Sequence, residues 1–289
     1  QLEYTQKITF VVKADDKYTG TVTVRVDGTA TSTGVTKVEA KNGSDTVNMT
    51  GSSGVYSTAA NALNTGKGAY SVYINDVDTG YVIHAGGKDQ IVDLYTIAVA
   101  KSPAAGSAVN PTPTLQSGTQ IGTLGYVKGS VVTVTAGAPA TGYVFDKWTV
   151  ATGSGSAVDS GTSTSIAITM AEGKKTVTAN YVVTVTRTYD YGYNRTGGRT
   201  FYTQSGLKSG TAVPKISPEP SRPGYTFAGW YSAASGGTAI VFTAKLTADQ
   251  TVYAHWTKVE PKWSTLPSGE YGKDYNGTAA ITSGDVGAV

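Results

Sequence analysis

The stretch Gly142-Tyr-Val-Phe-Asp-Lys-Trp148 recurs farther along the chain as Gly224-Tyr-Thr-Phe-Ala-Gly-Trp230. Each copy is followed by a second shared segment, a Thr-Val-x-Ala-x-aromatic run at residues 176–181 and again at residues 251–256. Two copies of both segments in the same order indicate one small module that is used twice. We therefore predict a tandem array of small domains, and arrays of this kind mostly connect, extend or adhere.

The composition favours β-structure in every part of this array. Of 289 residues, 36 are Gly and 19 are Tyr, only 15% are charged, and short runs alternate Thr or Tyr with Val. Alternation with period two is typical of strands that bury one face against a core. In the N-terminal third we predict strands at residues 8–12, 21–26, 70–74 and 81–84. The predicted turns between them lie at Asp27-Gly28, Asn42-Gly43 and Thr79-Gly80.

Several segments carry resemblances to known families. Residues 68–81 resemble the closing strands of bacterial β-sandwich surface domains of the transthyretin-like or carboxypeptidase-regulatory type. The third module resembles the Listeria–Bacteroides repeat, also called the internalin B-repeat. The matching segments are Gly197-Gly198, 210–214, 220–231, Gly236-Gly237 and 246–257.

The second module is similar to the divergent form of the internalin B-repeat. Its matching segments are residues 128–136, the heptapeptide at 142–148 and residues 176–181. It departs from the pattern by a long insertion between Trp148 and Ile166 and by lacking a Pro-Gly pair before Tyr143. The resemblance predicts how the second module aligns with the repeat. It does not predict the geometry of the loop at this insertion.

These resemblances imply a mostly β fold class, with an N-terminal β-sandwich followed by two β-grasp-like repeats. The expected domains are a β-sandwich-like surface domain at 1–94, the divergent B-repeat at 95–181, the B-repeat at 182–258, and a linker with the truncated start of an immunoglobulin-like domain at 259–289. Such repeats occur on large bacterial surface proteins and internalin-type adhesins. The resemblance thus implies an extracellular place on a bacterial cell surface or cell wall, in a Gram-positive or gut bacterium.

The junctions between modules contain no spacer. Residues 91–100 and 176–186 each finish one module and begin the next without a Gly/Ser linker. A junction of this kind has little freedom to swivel, so we expect an elongated, semi-rigid particle. The chain has no cysteine, no stretch that resembles a signal peptide or a membrane span, and no Met at position 1. We expect it to be a segment of a longer protein.

The repeated aromatic residues are predicted to be core. Each buried ring contributes a gross ~5 kcal/mol of burial free energy, from roughly 200 Å² at about 25 cal/mol/Å². Exposing several rings to a ligand would therefore unfold a module this small. The predicted core residues are Tyr143, Phe145, Trp148, Tyr225, Phe227 and Trp230. Gly229 is expected to bend its strand so that Trp230 reaches the same core.

A separate group of residues in the third module is the candidate ligand-binding surface. Tyr189, Tyr191 and Tyr193 are spaced two apart, so an extended strand would place them on one face. Exposed tyrosines stack on sugar rings or anchor a protein partner. The candidate site consists of Tyr189, Tyr191, Tyr193, Tyr202, Arg195 and Arg199. The alternative is that one or two of these rings cap the core and the others are ordinary surface.

Other kinds of site find little support in the sequence. His84 and His255 lie in different modules without Cys or His at ligand spacing, which argues against zinc. The acidic turn at residues 75–80 lacks the Glu of a calcium loop, and no nucleophile elbow or nucleotide-binding glycine motif occurs. We predict no catalytic residues, no metal and no cofactor. Lys7, Lys13, Asn48 and Asn75 leave open an intramolecular amide cross-link.

The functional hypothesis is a non-catalytic, monomeric segment of an adhesin-type surface protein. It would act as an elongated stalk and contact a host-surface protein or glycan. Nucleic acid is not expected as a partner, because the net charge of the chain is only +3. The alternative hypothesis is a carbohydrate-binding region of a modular secreted enzyme that acts on polysaccharides.

Overall fold

Alternating burial organises the N-terminal strands, as their period-two pattern predicts. In Ala69–Ile74 the side chains of Tyr70, Val72 and Ile74 are buried, while their neighbours in between are partly exposed. The computed structural model of the protein describes residues 17–84, 89–263 and 281–283. Within these ranges the chain is almost entirely β, and its two helical segments are single 3₁₀ turns at Thr65–Lys67 and Ala104–Gly106. The predicted mostly β fold class is confirmed.

The strands are numbered in chain order. The first ten are β1 Lys17–Tyr18, β2 Thr21–Val26, β3 Thr29–Ala30, β4 Val38–Asn42, β5 Asp45–Ser52, β6 Val55–Thr58, β7 Leu63–Asn64, β8 Ala69–Ile74, β9 Val77–His84 and β10 Gln90–Tyr95. The next nine are β11 Ile97–Ser102, β12 Thr112–Ser117, β13 Gln120–Ile121, β14 Gly125–Val127, β15 Val131–Thr135, β16 Tyr143–Thr152, β17 Val158–Gly161, β18 Ser165–Thr169 and β19 Lys175–Asp190. The last seven are β20 Thr200–Lys208, β21 Thr211–Ala212, β22 Tyr225–Tyr231, β23 Lys245–Leu246, β24 Gln250–Lys258, β25 Lys262–Trp263 and β26 Ile281–Ser283.

One ten-stranded sheet forms the N-terminal part. Its strand order is β13-β14-β10-β2-β6-β5-β4-β8-β9, with β3 paired to β2. Ile83, on β9 at one end of this order, belongs to the same buried cluster as Val24 on β2 and Leu94 on β10, so the sheet folds around a single core. Strands β13 and β14 belong to residues that the sequence assigns to the second module, yet β14 pairs with the end of β10.

The turn chemistry of this sheet agrees with the sequence in part. Asp27 and Gly28 both have positive φ, as a tight hairpin between β2 and β3 requires. The prediction of a turn at Thr79-Gly80 is wrong, because both residues lie inside β9. The β8–β9 hairpin turns instead at Asn75 and Asp76, which both adopt positive φ. The predicted strand at residues 8–12 lies outside the described residues, as do Lys7 and Lys13.

The two repeats share one strand pattern, although their sequences differ. In the second module, the first strand β11 pairs in parallel with the last strand β19, and β16, which carries the heptapeptide, lies on the other side of β19. In the third module, β19 is the first strand and pairs in parallel with the last strand β24, and the heptapeptide strand β22 again lies beside that last strand.

The third-module sheet has the order β20-β19-β24-β22. Its first and last strands are the parallel central pair, which is the strand order of a β-grasp sheet. No α-helix covers this sheet within the described ranges, and the loop residues Val213 and Ile216 pack against its two small buried clusters instead.

The chain divides into two compact units. The first comprises residues 1–140 and 145–181, and the second comprises residues 141–144 and 182–289. Strand β19 contributes residues to both units and contains neither Gly nor Pro along its sixteen residues.

The duplicated aromatic residues form the same contact in both repeats. The ring centroids of Phe145 and Trp148 are 5.3 Å apart, and those of Phe227 and Trp230 are also 5.3 Å apart. Trp148 is fully buried and Trp230 is 3% exposed, which confirms that both are core residues. The last strand of each repeat supplies a third ring, Tyr181 at 5.8 Å from Phe145 and Trp256 at 5.6 Å from Phe227.

A bulge lets Trp230 join this core. The register of β22 against β24 shifts between Phe227 and Gly229, and Gly229 has a φ of +128° that side chains rarely adopt. The predicted bend at Gly229 is thus confirmed. The other four predicted core residues are only partly buried. Phe145 and Phe227 pack on the buried tryptophans, whereas Tyr225 lies against the guanidinium of Arg222.

Replacement of Trp148 by Ala should lower the free energy of unfolding by about 3–5 kcal/mol, because it removes a fully buried ring and leaves a cavity. Replacement of Val158, which is 61% exposed, by Ala is the control and should change it by less than about 0.5 kcal/mol. Urea unfolding followed by far-UV circular dichroism measures both values. Equal values for the two variants would contradict the core assignment of Trp148.

Two carboxylates in the N-terminal sheet are held in their charged form. Glu39 is 4% exposed, and its carboxylate lies 3.0 Å from Lys37 Nζ and 2.9 Å from Lys41 Nζ. Burial by itself raises the pKa of Glu39, but the ammonium groups of Lys41 and Lys37 outweigh it and hold the pKa below its usual value. The Tyr70 hydroxyl, at 2.7 Å, and then Lys67 likewise lower the pKa of Asp45.

Stability should therefore fall as the pH drops through about 4, because unfolding returns both groups to ordinary pKa values and the unfolded chain binds the protons more readily. Urea midpoints measured from about pH 3 to pH 7 test this expectation. A double variant, Glu39→Gln with Asp45→Asn, should show a shallower pH dependence than the parent chain. A double variant with an unchanged slope would show that other groups cause the acid sensitivity.

Candidate functional surface in the third module

The loop that joins β19 to β20 positions most of the candidate residues. The carboxylate of Asp190, the last residue of β19, accepts hydrogen bonds from the Gly192 amide at 2.7 Å and from Arg199 Nε at 3.1 Å. Arg199 also donates to the side chain of Asn194 at 3.0 Å, and the Tyr191 amide donates to the Arg199 carbonyl at 2.7 Å. The nine-residue loop is thus closed at its base by an acidic residue and an arginine.

Beyond Asp190 the chain no longer alternates as a strand, and this changes the positions of the tyrosines. Tyr189, still within β19, is fully buried, with its ring 4.9 Å from Trp230 and its hydroxyl donating to Gln204 Oε1 at 2.9 Å. Burial raises the pKa of Tyr189. Tyr191 and Tyr193 lie in the loop and are partly exposed. The expectation that all three tyrosines share one exposed face is wrong, because the strand ends between the first and the second.

Tyr191 and Tyr193 form an aromatic surface with a residue from the last strand. Their ring centroids are 5.9 Å apart, and Tyr193 lies 5.9 Å from the ring of Trp256. Trp256 Nε1 donates to the Tyr191 carbonyl at 2.6 Å, which ties the loop to β24. These three partly buried rings connect the candidate surface to the core, because Trp256 also packs against Phe227.

Two guanidinium groups lie over the rings of this aromatic surface. The Arg195 guanidinium carbon is 4.2 Å from the centroid of Tyr191, and that of Arg222 is 4.2 Å from Tyr193 and 3.6 Å from Tyr225. All three distances are typical of favourable cation–π contacts. We refer to Tyr191, Tyr193, Trp256, Arg195 and Arg222 together as the Arg–Tyr surface.

The charge of the Arg–Tyr surface is not compensated by nearby acids. Residues 182–258 contain eight Lys and Arg against three Asp and Glu. Each acid is already engaged: Asp190 with Arg199, Glu219 with Lys215, and Asp249 with the Thr186 amide. Within the described part of the chain, no carboxylate lies at ion-pair distance from Arg195 or Arg222.

A polar cleft of about 300 Å³ opens beside Arg222. Its lining includes Gly192, Arg222, Ser235, Gly236, His255 and Trp256. His255 Nε2 lies 2.8 Å from the Ala233 carbonyl, and its ring stacks on Tyr231 with centroids 3.9 Å apart, so the imidazole is fixed in place. Gly192 is required here, because a Cβ at this position would lie 1.9 Å from the Ala254 carbonyl oxygen.

The structure therefore brings together three of the six predicted site residues, Tyr191, Tyr193 and Arg195. Arg199 anchors the loop, and Asp190 raises the pKa of its guanidinium. Tyr202 is 51% exposed and lines a second cleft of about 360 Å³ with Phe201, Ile216 and Pro218. Tyr189 belongs to the core and cannot touch a ligand.

The sequence missed Arg222 and Trp256 as members of this surface. Arg222 lies twenty-nine residues after Tyr193 and reaches the surface only because its loop leads into β22. The signal that could have indicated it is the concentration of four of the five arginines of the chain in the third module. Among the described residues, no group of three or more His, Cys, Asp or Glu is placed to hold a metal ion.

Strand pattern and sequence together define the class of the two repeats, within residues 112–255. Two β-repeats that each pair their first and last strands in parallel form a tandem-repeat region. Residues 189–255 match the Listeria-Bacteroides repeat domain, and residues 112–185 match the divergent InlB B-repeat domain. Both resemblances are confirmed, and repeat domains of this type are typical of bacterial surface proteins. A comparison with curated proteins finds no match.

Replacement of Asp190 by Ala should loosen the loop at residues 191–199, because it removes the acceptor of both Gly192 and Arg199. Limited trypsin digestion should then cleave after Arg195 and Arg199 at least about threefold faster, since cleavage follows local opening. Asp159→Ala is a matched control, because the Asp159 side chain is 69% exposed and its ion pair with Lys147 lies in the other unit. Unchanged cleavage in Asp190→Ala would show that the loop is held by other contacts.

Proposed function

We propose that this chain is a non-catalytic segment of an adhesin-type protein on a bacterial cell wall. It spaces a distal domain from the cell and contacts a host or neighbouring-cell partner through the Arg–Tyr surface. The observation that carries the spacer role is strand β19, which ends the second repeat and begins the third without interruption. The observation that supports the contact role is the pair of guanidinium groups without carboxylate partners, described above.

The proposed organisation follows the modules expected from the sequence, at 1–94, 95–181, 182–258 and 259–289. Adjacent modules joined by a strand have less freedom than modules joined by a flexible linker. The pairing of β14 with β10 supports a further restriction, because residues of the second module then extend the sheet of the first. We propose that the chain is monomeric and elongated.

A non-catalytic role agrees with the placement of the polar groups. The His255 imidazole is held by the Ala233 carbonyl and by the ring of Tyr231. No helix in the described ranges is long and apolar enough to cross a membrane. Repeat-domain families of these types are generally non-catalytic.

The second candidate function is carbohydrate binding as an accessory region of a secreted enzyme that acts on polysaccharides. The Arg–Tyr surface favours it, because aromatic rings at the edge of a polar cleft suit the faces of sugar rings. The two candidates differ in the sequence that adjoins this segment in the full protein. A catalytic domain there would favour the accessory role, and a wall-anchoring signal would favour the adhesin.

Small-angle X-ray scattering of the 289-residue chain tests the spacer role. A compact chain of this length has a radius of gyration of about 19 Å, and we expect a value above about 25 Å for an elongated monomer. Insertion of a short Gly-Ser linker between Tyr181 and Val182 should broaden the distance distribution, because it interrupts β19. A parent chain with a value near that of a compact protein would contradict the spacer role.

A further inference from the structure

We propose that the cleft beside Arg222, together with the Arg–Tyr surface, binds a sugar ring that carries a carboxylate or a sulfate, as a unit of an acidic polysaccharide. This inference rests on the proposed contact role of the third module and names the chemical class of its partner. The same anionic sugar chemistry occurs in uronate-rich and in sulfated glycans, and the experiment below separates these two sources.

The geometry of the arginines points to an anion with several oxygen atoms. A guanidinium that lies flat on an aromatic ring uses its face for that contact and keeps the N–H groups of its edge available in the plane. This edge matches two oxygens of a carboxylate or sulfate in a bidentate pair. The Arg222 guanidinium carbon lies over two rings, 4.2 Å from the centroid of Tyr193 and 3.6 Å from that of Tyr225, so little side-chain entropy remains to be lost on binding.

The aromatic rings point to a ring-shaped ligand rather than to a free inorganic anion. The ring of Tyr193 contacts the rings of both Tyr191 and Trp256, and all three are partly exposed, so they offer a continuous apolar strip next to the two cations. Their positions are fixed by the Trp256–Tyr191 hydrogen bond and by packing onto the core. A sugar ring presents C–H groups to such a strip and its charged group to the arginines at the same time.

The cleft supplies polar groups for the hydroxyls of such a sugar. Its lining includes Ser235 and the backbone around Gly192 and Gly236, and both glycines adopt positive φ. Its volume, about 300 Å³, is at the lower end of ligand sites. This size suits one saccharide unit, and the neighbouring units of a chain would extend across the exposed rings.

The observations favour a glycan over an acidic peptide or a nucleic acid. A protein partner of this area would need apolar anchors in a desolvated pocket, whereas the cleft is lined mainly by polar groups. Nucleic acid needs a charged track along several phosphates, whereas here two uncompensated arginines lie at one site. Binding of an acidic peptide is one outcome of the test.

Isothermal titration calorimetry on the whole chain tests the inference with four defined probes. They are an oligogalacturonate hexamer, a heparin-derived hexasaccharide, a neutral cellohexaose and a poly-aspartate peptide. We expect at least one of the two acidic sugars to bind at least about tenfold tighter than cellohexaose and poly-aspartate, since charge-assisted hydrogen bonds typically contribute this much. An increase in ionic strength from about 0.05 to about 0.5 M should weaken the binding. Tighter binding of the oligogalacturonate indicates a uronate-rich glycan, and tighter binding of the heparin-derived sugar indicates a sulfated glycan.

Variants locate the binding on the chain. Arg222→Gln and Tyr193→Leu should each weaken binding of the acidic sugar about tenfold. The first removes a cation that pairs with the anionic group, and the second removes an aromatic ring that packs on the sugar. Lys245→Gln is the matched control, since it makes the same change in net charge at an exposed position on β23 outside the cleft. Its affinity should stay within about twofold of the parent chain. Arg195→Gln, in the exposed loop, provides a second charge variant if thermal unfolding shows that Arg222→Gln is not folded.

Three results would overturn the inference: no binding of either acidic sugar, binding of poly-aspartate as tight as that of the sugars, or binding that Arg222→Gln, Arg195→Gln and Tyr193→Leu leave unchanged. Each result concerns the ligand alone. The radius of gyration of the chain does not depend on it, so a failure here is distinguishable from a failure of the spacer role.

Discussion

The contact between a phenylalanine and a tryptophan three residues later is the interaction on which each repeat depends. Both repeats hold this pair at the same centroid distance, 5.3 Å, and both add a ring from their last strand. The third ring contacts the phenylalanine of the pair and so joins the heptapeptide strand to the last strand. A small β-module has little other apolar material, and the conserved spacing between these rings accounts for the shared strand pattern of two divergent sequences.

Much of this fold could be predicted from the sequence, because local rules and tertiary packing agree there. Val22 and Val24 in β2 are buried as their alternation predicts, and the Asp27-Gly28 turn has the expected backbone. The turn prediction failed where two neighbouring segments both have the composition of a turn. Thr79-Gly80 has the composition of a turn, but Asn75 and Asp76 provide the turn two residues after Tyr73 and leave Gly80 inside the following strand.

The candidate surface could be predicted only in part, because it is assembled from three separate segments. Alternation of Tyr189, Tyr191 and Tyr193 holds only while the chain is extended, and the side-chain bonds of Asp190 end that extension. Tyr193 follows β19 and Arg222 precedes β22, so the two residues meet only in the folded module. No local sequence pattern indicates this contact. The concentration of arginines in the third module does not indicate which arginine contacts which tyrosine.

The parallel pairing of first and last strands in each repeat has a mechanical consequence. In the second repeat six residue pairs, from Ile97–Lys175 to Ser102–Asn180, join the strand where the chain enters to the strand where it leaves. Tension applied at these two ends drives the strands past one another along their own axes. All the bonds between them then carry the load together, whereas an antiparallel hairpin would open one bond at a time. A repeat built in this way resists extension by shear of all six residue pairs at once.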